Sequence, residues 1–190
     1  MARKIAVYGT GGHGREIASL VRERVAANPD DVFLGFIDDN PQQVGTLLNG
    51  APVFALKDLA GKHGDAQIVC AVGDPHIRER LARKCEEHSF SFATIVCERQ
   101  PSLVSIGEGS VLFQGAVTTT NIKIGKHVHI NVGCTISHDV VIGDFANINP
   151  GAHINGWVHV GVHAYIGSGA VIINGAPGEP LLIGDGAIVG

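Results

Sequence analysis

From Ile106 onward an aliphatic residue returns at every sixth position. The series runs Ile106, Leu112, Thr118, Ile124, Ile130, Ile136, Ile142, Ile148, Ile154, Val160, Ile166 and Ile172, and only Thr118 is not aliphatic. Two positions earlier stands a second series, Val104, Ser110, Ala116, Ile122, Val128, Cys134, Val140, Ala146, Ala152, Val158, Ala164 and Ala170, small or β-branched throughout. Positions two apart on an extended chain share a face, so each hexapeptide directs both residues toward a common interior. Antiparallel hairpins would break this phase at turns of unequal length. The pattern therefore predicts a left-handed parallel β-helix of hexapeptide repeats from about Ser105 to Gly190, with three hexapeptides per triangular coil and coils about 4.8 Å apart. Gly107, Gly125, Gly143 and Gly161 each follow the aliphatic residue once per coil, and are expected at corners with an unusual backbone angle. The phase breaks after Ile172 and resumes at Ile183, which predicts that Asn174–Pro180 is thrown out of one corner. The sequence stops in mid-repeat at Gly190, with the expectation that a last coil is missing.

A different pattern precedes the repeats. Lys4–Tyr8 is a short apolar strand that runs into Gly9, Thr10, Gly11, Gly12, His13 and Gly14, followed by a helical stretch at Arg15–Val25. A glycine loop between strand and helix offers backbone amides and a positive helix end to a phosphate. A second strand, Val32–Ile37, ends in Asp38, Asp39 and Asn40, where a carboxylate can accept from a ribose or a base edge. A third, Gln67–Val72, ends in Gly73 and Asp74, with Arg78 on the opening turn of the next helix. Three strand ends then point to one crevice of an open parallel sheet. The predicted organisation is α/β: a Rossmann-like mononucleotide-binding domain over residues 1–97, then the β-helix over 98–190. An NAD site fits less well, because the first segment is about half a dinucleotide fold and no substrate domain for hydride transfer follows it. The nucleotide end of a sugar nucleotide suits the size.

Composition narrows the partners. The 26 glycines are ordered by the repeat, and 14 Lys and Arg against 18 Asp and Glu leave a formal charge of −4. That balance argues against nucleic acid or an anionic membrane surface as a partner. The opening residues are too short an apolar run for a signal peptide, and no stretch approaches a membrane span, so a cytoplasmic protein is expected. Cys70, Cys85, Cys97 and Cys134 lack C-x-x-C spacing and are expected to be reduced structural thiols.

The ten histidines separate by coil arithmetic. His127 and His163 share a column two coils apart with Phe145 between them, and His129, His153 and His159 fall in three columns. No metal site follows within one chain, while one shared between subunits stays open. His138 is followed by Asp139, and eighteen residues later stands Gly156, one strand spacing away with no side chain. A base, an orienting acid and an accessible amide together are what acyl transfer requires.

Taken together, Gly9–Gly14, the Gly35-Phe36-Ile37-Asp38-Asp39 strand end, Val72-Gly73-Asp74 with Arg78, and the run Ser137-His138-Asp139 to Ile142-Gly143-Asp144-Phe145 resemble one family along nearly the whole chain. It is the bacterial nucleotide-sugar N-acetyltransferase and sialic acid O-acetyltransferase family (PglD/NeuD-like) of the hexapeptide-repeat acyltransferases. The resemblance implies an N-terminal domain holding a UDP- or GDP-linked amino sugar, and a homotrimeric β-helix that binds acetyl-CoA between subunits without a metal. It implies His138 as general base, Asp139 orienting it, and the Gly156 amide receiving the oxyanion. Asn147 replaces a second histidine often found in relatives and would donate to the thioester carbonyl. Gly9, Gly11, Gly12, His13, Gly14, Asp38, Asp39, Gly73, Asp74 and Arg78 would line the nucleotide-sugar site. O-acetylation of a sugar hydroxyl, a zinc-dependent hydratase of the carbonic anhydrase kind, and a non-catalytic sugar-nucleotide scaffold are the alternatives that the sequence leaves open.

Overall fold

A computed structural model of the chain describes residues 3–190; Met1 and Ala2, where the reading of the N-terminus begins, lie outside the described residues. The chain forms two compact units that divide between Ala93 and Thr94. No helix among the described residues is long and apolar enough to cross a membrane.

The first unit runs β1 (Lys4–Tyr8), α1 (Gly12–Ala27), β2 (Val32–Ile37), β3 (Leu47–Leu48), β4 (Ala51–Phe54), α2 (Leu56–His63), β5 (Gln67–Cys70), α3 (Pro75–Glu87) and β6 (Ser91–Phe92). Its sheet has the order β3-β4-β2-β1-β5-β6 and is parallel except where β3 pairs antiparallel with β4. The chain leaves β1 for β2 and β4 on one side, then returns to lay β5 against the other edge of β1. The direction of winding thus reverses between β1 and β5, the position at which such sheets open a crevice beyond their carboxyl ends. Ile5, Ala6, Val7 and Tyr8 are all buried, as a central parallel strand covered on both faces requires. The helix begins at Gly12 with Gly11 as its extended N-cap, earlier than the sequence suggested. His13 and Gly14 therefore belong to its first turn rather than to the loop. A Cβ on Gly14 would lie 2.0 Å from the Gly9 carbonyl oxygen, so only glycine lets the helix start this close to the strand end. The sequence pattern did not announce β3, β4, α2 or β6. They are short, β4 contains Pro52, and α2 lacks a side-chain cap.

The second unit is a prism of three parallel sheets. One contains Val117–Thr118, Thr135–Ile136, His153–Ile154 and Val171–Ile172. Another contains Val104–Ile106, Ile122–Ile124, Val141–Ile142, Val158–Val160 and Leu181–Ile183. The third contains Ile95–Val96, Val111–Leu112, His129–Ile130, Asn147–Ile148, Tyr165–Ile166 and Ile188–Val189. Ile95–Val96 already pairs with Val111–Leu112, so the coil lattice starts ahead of Glu98, where the sequence pattern set the boundary. Strands pair at steps of eighteen, as in Thr135 with His153 and His153 with Val171. Both sixfold series point inward and are buried, apart from Val104 and Ile106, which are half-buried in the first coil. This is the left-handed parallel β-helix that the repeat predicted.

The corners correct one expectation. Left-handed backbone occurs at Gly109, His127, Phe145 and His163 on one corner, at Gly115, Gly133, Gly151 and Gly169 on a second, and at Asn121, Asp139 and Trp157 on the third. Gly107, Gly125, Gly143 and Gly161 have no such angle. They are glycine because successive coils touch there: a Cβ on Gly107 would lie 2.5 Å from the Gly125 carbonyl carbon, and one on Gly143 would lie 2.6 Å from the Val162 nitrogen.

Candidate active site

The third corner stacks Asn121, Asp139 and Trp157 one coil apart, with His138 on the step before Asp139. Eighteen residues per coil make this superposition unavoidable once the interior series is buried. The His138 imidazole Nδ1 lies 2.9 Å from Asp139 Oδ2, and Asn121 Nδ2 donates to the other oxygen, Oδ1, at 3.2 Å. A carboxylate accepts only, so Nδ1 is the donor of this bond, and in the neutral ring that leaves Nε2 with its lone pair. The imidazole rests against bare backbone. A Cβ on Gly156 would fall 2.4 Å from Cε1 and 2.7 Å from Nε2 of His138. Trp157 meets the ring edge to face, with centroids 4.6 Å apart and planes at 83°, while its amide donates to the His138 carbonyl at 3.2 Å. The side chain of His138 remains 43% exposed, enough for a substrate to reach Nε2. The Gly156 amide donates to no backbone group among the described residues.

The structure does not bring Asn147 to this corner. Nine residues is half of an eighteen-residue coil, which carries Asn147 from the His138 corner to the sheet of Asn147–Ile148, where it is 2% exposed. The other histidines keep the separation that the sequence predicted. His127 stacks on Phe145 at 4.9 Å and Phe145 on His163 at 5.5 Å, while His129, His153 and His159 stand on three different sheets.

In the first unit the reversal of winding lies between Gly9 and the segment after β5. Gly9 has φ +124, and a Cβ there would come within 2.9 Å of the Ala71 carbonyl oxygen. Gly11 and Gly12 face open space at the start of α1, and so does Gly73. His13 contacts Glu16 at 3.3 Å; burial, only partly offset by Glu16, holds its pKa below the usual histidine range. The two carboxylates after β2 are committed to the scaffold. Asp38 accepts from the Thr10 hydroxyl and, at 2.8 Å, from the Asn40 amide. Asp39 accepts from the Tyr8 hydroxyl and the Lys84 ammonium. Burial pushes Asp39 upward, but the hydrogen bonds from Lys84 and then Tyr8 outweigh it and hold the carboxyl below the usual range. Burial and the neighbouring Asp39 drive the Tyr8 phenol far above the ordinary range. Asp38 and Asp39 border a cavity of about 560 Å³ with Val44, Leu56, Asp58 and His88 among its other walls.

Asp74 and Arg78 stand at the start of α3 with different duties. Asp74 caps the helix by accepting from the Ile77 amide at 2.9 Å. Arg78 is fully buried and donates to the Val72 carbonyl at 2.7 Å, so it braces the loop that ends β5. Sequence reasoning missed Asn121, Trp157, Tyr8, Thr10 and Lys84. The first two were accessible to it, since each is eighteen residues from Asp139; the others depend on which strand ends meet and on where α3 brings Lys84.

Known proteins resemble the chain along nearly its whole length. The PglD N-terminal domain family matches residues 4–85. The GDP-perosamine N-acetyltransferase of Escherichia coli O157:H7 is 33% identical over 187 residues, which span 95% of this chain and 82% of that protein. WeeI from Acinetobacter baumannii AYE superposes with a TM-score of 0.86 at 39% identity, over 98% of this chain and 88% of its own. PerB from Caulobacter crescentus, in complex with CoA and GDP-perosamine, superposes with a TM-score of 0.73 at 25% identity, over 98% of this chain and 88% of its own. Similar across both units to proteins of this kind, the chain belongs to the PglD-type family of bacterial nucleotide-sugar N-acetyltransferases.

Proposed function

We propose that the chain transfers the acetyl group of acetyl-CoA to the amine of a nucleotide-linked amino sugar, with His138 as general base. The observation that carries this reading is the seating of one exposed imidazole between Asp139 and Gly156. The amine nitrogen attacks the thioester carbonyl carbon, forming a C–N bond as Nε2 of His138 accepts a proton. Asp139 then faces an imidazolium and stabilises it. The carbonyl oxygen gathers negative charge, which the Gly156 amide receives. Collapse breaks the C–S bond, and the proton on Nε2 passes to the departing thiolate of CoA. No acyl-enzyme is required.

The first unit supplies binding. The Gly11 and Gly12 amides at the start of α1 are suited to phosphate, the Gly9 amide being held by the Ile37 carbonyl at 2.9 Å, and the cavity beside Asp38 and Asp39 is suited to the nucleoside. Gly73 leaves room on the opposite side of the crevice, with Asp74 and Arg78 holding its loop. Exposed apolar residues on the β-helix, among them Val117, Val171, Ile173 and Leu182, support a homotrimer in which neighbouring prisms cover them. The likeness to a CoA-bound relative supports acetyl-CoA as the donor, and both substrates are consistent with a cytoplasmic reaction.

The test is a screen of UDP-, GDP- and dTDP-linked amino sugars with acetyl-CoA, following release of free thiol. Acetylation of at least one amine is expected, and His138→Ala is expected to lower its turnover by about 10² or more. Thiol release with no acceptor in the set, or near-normal turnover by the variant, would overturn the reading.

A further inference from the structure

The eighteen-residue coil is interrupted once, and the interruption leaves the prism at the His138 corner. His138 lies between strands Thr135–Ile136 and Val141–Ile142, and Gly156 and Trp157 lie between the next strands of the same two sheets. Asn174–Pro180 occupies that turn one coil further on. Val158 pairs with Leu181, a step of twenty-three residues in place of eighteen. Both ends of the insertion are fastened to the residues that hold the base. The Gly175 amide donates to the Gly156 carbonyl at 3.0 Å, and the Leu181 amide donates to the Trp157 carbonyl at 2.9 Å. Gly175 approaches so closely that a Cβ on it would lie 2.3 Å from the Trp157 oxygen.

Between these anchors the segment is a stiff projection. Ala176 and Glu179 exchange two backbone hydrogen bonds of 3.0 Å across Pro177 and Gly178. Gly178 has φ +79, the arrangement of a type II turn with proline first and glycine second. Pro177 and Pro180 remove backbone freedom on either side of Gly178 and Glu179. A preformed turn of this kind presents a fixed surface to a ligand at little cost in ordering.

The chemistry of that surface favours one of the two substrates. Asn174–Pro180 contains no cation, and its single charge is the exposed carboxylate of Glu179. The phosphates of either substrate are repelled by such a group, which leaves the sugar as the part it can contact. An amino sugar offers hydroxyl and amine donors that a carboxylate and the turn's carbonyls accept. We propose that the Asn174–Pro180 insertion is the acceptor-side wall of the acyl-transfer site, contacting the sugar and setting which sugars reach His138. The proposal rests on the reading of the His138 corner as the site of transfer.

Two variants test it with GDP-perosamine and a UDP-linked 4-amino sugar as acceptors, after the unaltered protein has been shown to acetylate one of them. Deletion of Ala176–Pro180 restores the eighteen-residue step, and Glu179→Gln leaves the turn intact should the deletion fail to fold. The deletion is expected to raise the acceptor KM at least tenfold, and Glu179→Gln at least threefold, with the acetyl-CoA KM within twofold in both. Unchanged acceptor KM in the folded variants, or a rise confined to acetyl-CoA, would overturn the wall. Failure of the unaltered protein with every acceptor would instead strike the transfer reading itself.

Discussion

The imidazole of His138 lies directly on the α-carbon of Gly156, so closely that a methyl group there would come within 2.4 Å of Cε1. The ring is thereby held by an absence: at the position one coil above it there is backbone and no side chain. Gly156→Ala should displace the ring from Asp139 while leaving the interior series untouched. Turnover is expected to fall by about 10², with thermal unfolding close to that of the unaltered protein. A variant that keeps its turnover would show that the ring has another place to work from.

Asn121 holds Asp139 from the coil below, and Asp139 holds His138. Because Asn121 touches neither the imidazole nor its free nitrogen, it is a positioning residue. Asn121→Ala is expected to lower kcat by about three- to tenfold with acceptor KM unchanged, and to change little when Asp139→Asn is already present, since residues in one hydrogen-bonded chain are not additive. Equal effects in both backgrounds would mean that Asn121 acts on the corner's stability alone.

Burial makes His13 harder to protonate in the folded chain than in the unfolded one. The folded pKa is depressed, so the unfolded chain binds the proton first as pH falls below about 6.5. The contribution of His13 to stability is therefore complete above that pH and is lost as pH drops through the folded value. Melting temperature measured from pH 7 to pH 5 should decline more steeply for the unaltered protein than for His13→Gln. Parallel curves would assign the acid sensitivity to other groups.

Much of the His138 corner was legible without coordinates. A six-residue period is a local signal repeated a dozen times, and each repetition votes for the same phase, so the interior of the prism and the columns on its surface follow from arithmetic. The stack of Gly156 on His138 and the His127–Phe145–His163 ladder are consequences of that arithmetic. So is the placing of Asn147 on a different sheet from the His138 corner of the same chain, half a coil away.

What only the tertiary structure decided is of another kind. Why Gly107 and Gly143 are glycine depends on how tightly one coil sits on the next, and the left-handed corners fall elsewhere. In the α/β unit each strand occurs once, so no repetition discloses its neighbours. That Asp38 answers Thr10, that Asp39 answers Tyr8 and Lys84, and that Arg78 turns inward to Val72 all follow from pairings between distant segments. The sequence by itself determined the repeating half and the surroundings of His138, because stacking is periodic. The folded chain decided which polar groups stay available to a ligand, because burial and partnership are set by segments far apart in sequence.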